Sequence, residues 1–311
     1  MNEEYLKPLD LGSIIDKSFR LTFSNMTKNF LIFIIYLGIS IVSLIIIAAF
    51  LIFIVSTNRI DMDILNFRNL YSLFDSVNYR DTFMSLYNVF LAFIPVLVIF
   101  AIFLFVVQIF YLGMLNDIFI KSITGEQWNF KTSFHFVRSK FFVLAGANIL
   151  GFFILIAGTL FFCVGAIPAS IIVAFIFPAV LFENEKTAGS ISRSFKLVFY
   201  DFWPCVGYFI VLSLIIGAIS FVFDLFTNFL SGFISGFMKT TDSIDLYVTA
   251  ISASFIILIL KTPLTIFTEA IQRAFFNLLF FNMKIKHENY GIEMLALSIS
   301  DNMESKPPEQ S

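Results

Sequence analysis

The chain has 311 residues, 59% of them hydrophobic and 14% charged, with a mean hydropathy of +0.90 and a formal net charge of −2. Soluble domains carry about a quarter of their residues as charges, so this composition excludes an ordinary soluble enzyme and predicts a polytopic membrane protein. Lys and Arg are dispersed between apolar runs, which gives no basis for a nucleic-acid partner, and Cys163 and Cys205 are too few for a disulfide framework and are expected to be free thiols.

The first apolar run begins only near Phe30, is too long for a signal-peptide core and is followed by no small-residue cleavage site, so residues 1–29 are expected to be retained. Leu11, Ile14, Ile15, Phe19, Phe23 and Met26 recur at helical spacing with Asp16, Lys17, Arg20 and Lys28 between them, which predicts an interfacial amphipathic helix. A first span follows at about Phe30 to Val55. Its Ser40 and Ser43 can bond back to helical carbonyls. The loop Ser56 to Thr82 sets Arg59, Arg68 and Arg80 against Asp61, Asp63, Asp75 and Asp81; these aspartates lack the register of a calcium loop, so a solvated face is expected rather than a metal site. Phe83 to Ile120 exceeds one membrane thickness, predicting a span that tilts, kinks at Pro95 or projects beyond the lipid.

The stretch Phe141 to Phe182 contains no Asp, Glu, Lys, Arg or His. A bilayer core of ~30 Å takes roughly 20 helical residues, so this run reads as two spans joined by a tight turn. Gly158, Thr159, Gly165 and Pro168 mark the turn. Glu183 to Trp203 is again amphipathic, and its SRSFKLVF at Ser192 matches DKSFRLTF at Asp16 in Ser, Phe, a basic residue, Leu and Phe. A weaker echo, SFHFVRSKFF, begins at Ser133. Three units are predicted, each a basic amphipathic helix followed by a two-span hairpin. The fifth span runs from about Pro204 to Phe223, and the sixth lies in Tyr247 to Asn282, interrupted at Lys261, Thr262 and Pro263. Gly232 and Gly236 are expected to lie outside the bilayer and not to form a dimer motif. The many phenylalanines are read as lipid-facing and packing bulk.

The fold class is therefore expected to be all-α, a polytopic membrane helix bundle of six transmembrane helices with amphipathic interfacial helices. Its parts are a cytoplasmic amphipathic helix over residues 1–29, a six-span membrane domain over 30–283, and a partly disordered cytoplasmic tail over 284–311. Lys7, Lys17, Arg20, Lys28, Lys121, Lys131, Arg138, Lys140, Lys186, Arg193 and Lys196 fall on one side of this topology, with Lys284, Lys286 and Lys306, against Arg59, Arg68, Arg80 and Lys239 on the other. The positive-inside rule then places both termini in the cytoplasm.

LGSIIDKSFRLTFSNMTKNF at Leu11, AGSISRSFKLVFYDFW at Ala188 and LFFNMKIKHENYGIEML at Leu279 resemble stretches of the glycerophosphoryl diester phosphodiesterase membrane-domain family, as does Ile167-Pro168 after the central turn. The closing motif reads Phe281, Asn282, Met283, Lys284 where the family has Tyr-Asp-Leu-Arg. The resemblance covers the membrane region, which in some relatives precedes a soluble phosphodiesterase domain. That activity is not expected here, since His135 and His287 stand without the clustered carboxylates it needs, and no cofactor or metal is expected.

One intramembrane polar site is a candidate. If the last helix leaves the membrane near Met283, Arg273 lies about 15 Å deep, Glu269 about 21 Å and Lys261 about 33 Å, at the outer interface. Glu269 and Arg273 are one turn apart and can pair. Gln272 lies in the same run, and Asn148 and Gln108 are the other candidates, read as interhelical hydrogen-bond formers. The expected function is a non-enzymatic protein of the cytoplasmic membrane that organises lipid or partner proteins at the inner leaflet. Its expected partners are anionic inner-leaflet lipid and an unidentified membrane protein. The alternative is a transporter or channel component with a polar path near Glu269 and Arg273.

Overall fold

The structure, a computed structural model, describes residues 7–57, 79–160, 165–237 and 243–288. They form nine α-helices and, among the described residues, no strand: α1 (Leu11–Ser24), α2 (Met26–Thr57), α3 (Tyr79–Thr124), α4 (Phe130–Ser139), α5 (Phe141–Leu160), α6 (Ala166–Phe182), α7 (Thr187–Tyr200), α8 (Phe202–Phe237) and α9 (Ser243–Glu288). The segments Met26–Phe50, Phe93–Thr124, Phe141–Leu160, Phe202–Leu230 and Lys261–Glu288 are long and apolar enough to cross a membrane, so this is an all-α, multi-pass membrane protein. The remaining expected crossing is α6, whose 17 residues span about 25 Å, at the short end of membrane-spanning lengths. It is apolar on every face and buried continuously from Ala174 to Leu181, as suits a helix enclosed by protein. Asp61, Asp63, Asp75 and Cys163 lie outside the described residues.

The chain divides into two compact units, residues 33–111 and residues 1–32 with 112–311. In the smaller unit α2 and α3 run antiparallel. Tyr36 stacks on Tyr111 with ring centroids 4.6 Å apart, and farther along the pair Ser43 and Phe50 line an apolar groove of about 350 Å³ with Val96 and Phe103. Ser40 and Ser43 donate to the carbonyls of Tyr36 and Ser40, so neither hydroxyl presents an unmet donor to lipid. Pro95 lies inside α3, which remains one helix.

The larger unit has its core in the end of α3, in α6 and in the second half of α9, where Phe119, Phe175, Phe275, Phe280 and Phe281 are fully buried. Phe175 meets Phe280 edge-on at 5.7 Å, and Phe182 meets Phe281 at 4.5 Å. Outside this core α5 and α8 turn Phe152, Phe153, Leu214 and Phe221 outward, the pattern of lipid-facing helices. Helices α8 and α9 are antiparallel: Asp224 pairs with Lys261 at 2.7 Å and Phe209 lies against Phe276 at 6.2 Å, with equal residue steps between the two contacts on each helix.

The expected repeat is visible in the backbone. Helices α1, α4 and α7 each end on a single non-helical residue, Asn25, Lys140 or Asp201, from which the next long helix starts at once. That residue's carbonyl accepts from the N–H one turn on, at Asn29, Leu144 and Cys205 (3.0, 2.9 and 3.0 Å). Ser18, Ser133 and Ser194 stand at one fixed distance before these joints, and all three are buried. The weak sequence echo at Ser133 therefore has the same geometry as the two stronger copies. Asp10 and Asn129 cap α1 and α4, accepting from the N–H groups of Ser13 and Lys131.

The amphipathic helices differ in how they lie on α9. At one end of α1, Leu9 is bonded to Asn282, and at the other Phe19 and Phe23 pack on Phe267, so α1 runs antiparallel beside α9. In contrast α7 lies across the end of α9, since Arg193 and Tyr200 contact its last two residues, Glu288 and His287. The polar tail expected from Lys284 begins as the last turn of α9, because Lys284 is buried and ion-paired there. Residues from 289 onward lie outside the described residues.

Candidate functional site

The most organised polar site lies where α6 ends, α7 begins and α9 stops. After Phe182 the chain reverses through Asn184, whose φ of 57° is the left-handed conformation that asparagine tolerates better than most residues. The N–H of Glu185 closes the turn on the Ala179 carbonyl at 3.3 Å. Glu183 and Glu185 are thereby set on either side of the reversal, and α7 returns Arg193 to the first of them.

Arg193 donates to Glu183 through two parallel bonds, Nε to Oε2 at 2.6 Å and a terminal nitrogen to Oε1 at 2.7 Å, and its other edge bonds Glu288 from α9. Glu183 also accepts Lys284 at 2.7 Å, and Lys284 stands 4.9 Å above the Phe182 ring. Planar guanidinium between two carboxylates is the geometry in which arginine binds most strongly. Burial pushes the Glu183 carboxyl up, but the bonds from Arg193 and Lys284 outweigh it and hold the group below the usual carboxylate range. Bonds to Glu288 and Glu183 push the Arg193 guanidinium still higher, so it stays charged. Beside this network His287 reaches Asp201 at 3.0 Å and stacks on Tyr200 at 5.0 Å.

An open cleft of about 650 Å³ leads to the network, and Glu185, Gly189, Ser192 and Lys196 complete its walls. Its six ionisable side chains are Glu183, Glu185 and Glu288 against Arg193, Lys196 and Lys284, three of each sign.

The candidates drawn from the sequence are only partly brought together. Glu269, Gln272 and Arg273 are half-buried along one stretch of α9, with the Arg273 guanidinium 5.7 Å above the Phe177 ring of α6. Asn148 is half-buried on α5, and Gln108 is exposed on α3 in the smaller unit. A buried interhelical amide bond is made by two further residues, Asn277 Nδ2 donating to Asn116 Oδ1 at 2.8 Å, both fully buried. Lys261 is half exposed, at the start of the membrane-crossing stretch of α9, and pairs with Asp224 of α8.

Sequence reading missed the Glu183, Arg193, Lys284 and Glu288 network because each residue looked like a surface charge flanking an apolar run. The one available signal was Lys284 and Glu288 one turn apart, with opposite charges, on a helix extended past its apolar stretch. No family model matches the chain, and no curated protein or solved structure does either.

Proposed function

We propose that this is a non-enzymatic protein of the cytoplasmic membrane, with both termini cytoplasmic, that organises anionic lipid at the inner leaflet through its basic amphipathic helices. The supporting observation is the outward face of α7. Its Ser190, Ser194, Leu197 and Val198 are buried, while Phe195 and Phe199 are exposed and stacked 6.0 Å apart, beside Lys196. One residue after α7 the membrane-crossing helix begins, and Trp203 in its first turn is 77% exposed. Helix α4 repeats this arrangement, with Phe130 and Phe134 exposed and stacked next to Lys131 and one turn from Arg138. Aromatic rings seat at the headgroup level and each nearby cation adds about 1 kcal/mol on an anionic surface.

Trp128 and Trp203 are the chain's only tryptophans, so Trp203 can be isolated by Trp128→Phe. With the full chain in nanodiscs, brominated phosphatidylglycerol should quench Trp203 more than brominated phosphatidylcholine at the same mole fraction, and Lys196→Gln should narrow the difference. Equal quenching by the two lipids overturns the reading.

A second reading, a transporter or channel component, is favoured by the buried Asn116–Asn277 bond near half-buried Glu269 and Arg273. Cysteines placed at 269 and 273 should then react with water-soluble reagents, and sealing from both sides of the membrane removes this reading.

A further inference from the structure

We propose that the cleft between α6, α7 and the end of α9 binds a zwitterionic phosphoethanolamine-type group, with its phosphate on Lys196 and Ser192 and its ammonium on Glu185. The proposal rests on the reading above only for the seat of α7 at the inner leaflet, and goes beyond it by adding a zwitterionic headgroup to the anionic lipid of that reading.

The charges of the cleft fall into two sets. Arg193 is held by Glu183 and Glu288, and Lys284 by Glu183, so these four form a wall whose bonds are already made. What remains is one group of each sign. Among the described residues Glu185 has no ion-pair partner, and Lys196 has only the Tyr200 ring, 5.7 Å from its ammonium. A bare anion approaching Lys196 would meet the Glu185 carboxylate in the same cleft, and a bare cation at Glu185 would meet Lys196. A ligand carrying both charges on one short chain satisfies both, and a neutral cleft of this kind has no net field to favour either ion alone.

Gly189 leaves room for the Glu185 carboxylate. A Cβ there would sit 2.3 Å from Glu185 Oε2, so the carboxylate lies directly over the bare backbone of α7. Gly189, Ser192 and Lys196 then follow along one helical face, which places the carboxylate, the hydroxyl and the ammonium in sequence on the cleft wall. The cleft's volume of about 650 Å³ suits a headgroup with part of its glycerol. The exposed Phe195, Phe199 and Trp203 on the same helix and at its joint put the cleft beside the seat proposed for the leaflet. An ammonium can donate hydrogen bonds to Glu185, and a trimethylammonium cannot, so phosphoethanolamine should be preferred to phosphocholine.

The test is native mass spectrometry of the full chain released from nanodiscs of equimolar phosphatidylethanolamine, phosphatidylcholine and phosphatidylglycerol. Phosphatidylethanolamine should be retained over each of the others by about tenfold, the worth of one charge-assisted hydrogen bond. Glu185→Gln and Gly189→Ala should each remove the preference over phosphatidylcholine, and Lys196→Gln should lower retention of phosphatidylethanolamine itself. Soluble phosphoethanolamine that displaces the lipid supports the same cleft with a free ligand as its source, and failure to displace it points to the lipid. Equal retention of the three lipids, or unchanged retention in Glu185→Gln, overturns the proposal. Quenching of Trp203 by anionic lipid is read separately, so if it persists the leaflet reading stands and only the headgroup site falls.

Discussion

Asn282 on α9 grips Leu9 in both directions: its Nδ2 donates to the Leu9 carbonyl at 3.1 Å and its Oδ1 accepts the Leu9 N–H at 2.7 Å. A side-chain amide can do this because it carries one donor edge and one acceptor edge, matching a backbone peptide. An aspartate has no donor for the carbonyl. Asn282→Asp should therefore lose one bond, set a carboxylate against the Leu9 oxygen, and cost about 1–3 kcal/mol. A lowered melting temperature of the full chain in detergent, with faster proteolysis near Lys7, is the expected result; an unchanged melt would mean that the N-terminal segment is held by α1 packing alone.

The Glu183 carboxyl is held below its usual value of 4.5 by Arg193 and Lys284 acting against burial. A depressed carboxylate contributes stability that is fully present above its unfolded value and is lost as pH falls through its lower folded value. At neutral pH Glu183→Gln should destabilise the chain by about 2 kcal/mol, below the range for a fully buried pair because the cleft admits water. The gap to wild type should hold from pH 7 down to about 4.5 and close at lower pH, where the native carboxyl protonates. A gap independent of pH would show that lost packing, not charge, explains the variant.

Gly158 was legible in the sequence as a marker of the central turn, but its role is a different one. It lies inside α5, and a Cβ there would sit 2.7 Å from both the Ala169 Cβ and the Gly165 carbonyl oxygen. Both are short, stiff groups that cannot swing away, so α5 and α6 approach closely only because residue 158 has no side chain. Gly158→Ala should cost about 1–3 kcal/mol despite the better helix propensity of alanine. Gly207, whose Cβ would meet nothing within 4 Å, is the control, and Gly207→Ala should be neutral or stabilising in the same melt.

The spans, the turn and the repeat could be read from the sequence because each is written in local pattern: an apolar run, a glycine, a Ser-Phe-basic register. The ionic network could not. Arg193 meets Glu288 across 95 intervening steps of chain, and Lys284 meets Glu183 across a similar span, so nothing local distinguishes them from solvated flanking charges. For the polar candidates the sequence gives depth along a membrane helix, and depth does not fix the direction a side chain faces. Glu269 and Arg273 are half-buried on α9, and Gln108 is exposed on α3.

The buried serine register yields a prediction that separates the three repeats. Ser18 donates to the Ile14 carbonyl at 2.6 Å and Ser194 to the Ser190 carbonyl at 2.7 Å, each one turn back in its own helix. Ser133 is equally buried, and its hydroxyl has no hydrogen-bond partner among the described residues. Removing an unmet buried hydroxyl relieves its desolvation cost, so Ser133→Ala should raise stability by about 1 kcal/mol. Ser18→Ala and Ser194→Ala exchange a satisfied bond for a smaller group and should be neutral or slightly destabilising. Leucine at any of the three should destabilise, because each position is buried and has no room for the larger side chain. Equal melts for all three alanine variants would mean that the Ser133 hydroxyl is satisfied after all.

The Asp224–Lys261 pair and the Arg193 network mark opposite ends of the membrane-crossing stretch of α9, Lys261–Glu288. From Lys261 to His287 along α9 the rise is about 39 Å, more than a bilayer core, so the two polar ends should emerge on opposite sides of the membrane. Both members of the outer pair are about half exposed, so the ion pair itself should contribute little, and Lys261→Gln should shift the melt by under ~1 kcal/mol. Its value is as a topological marker. In a chain with Cys163 and Cys205 replaced by serine, a cysteine at Asp224 should react with a membrane-impermeant maleimide added to intact cells, and one at Lys196 only after the cells are opened. Lys196 lies on the face of α7 that should rest against the inner leaflet, so the orientation and the leaflet role are tested at one residue. Labelling of both positions in intact cells would place the aromatic and basic face of α7 outside, where the anionic leaflet is not, and the proposed role would fail with it.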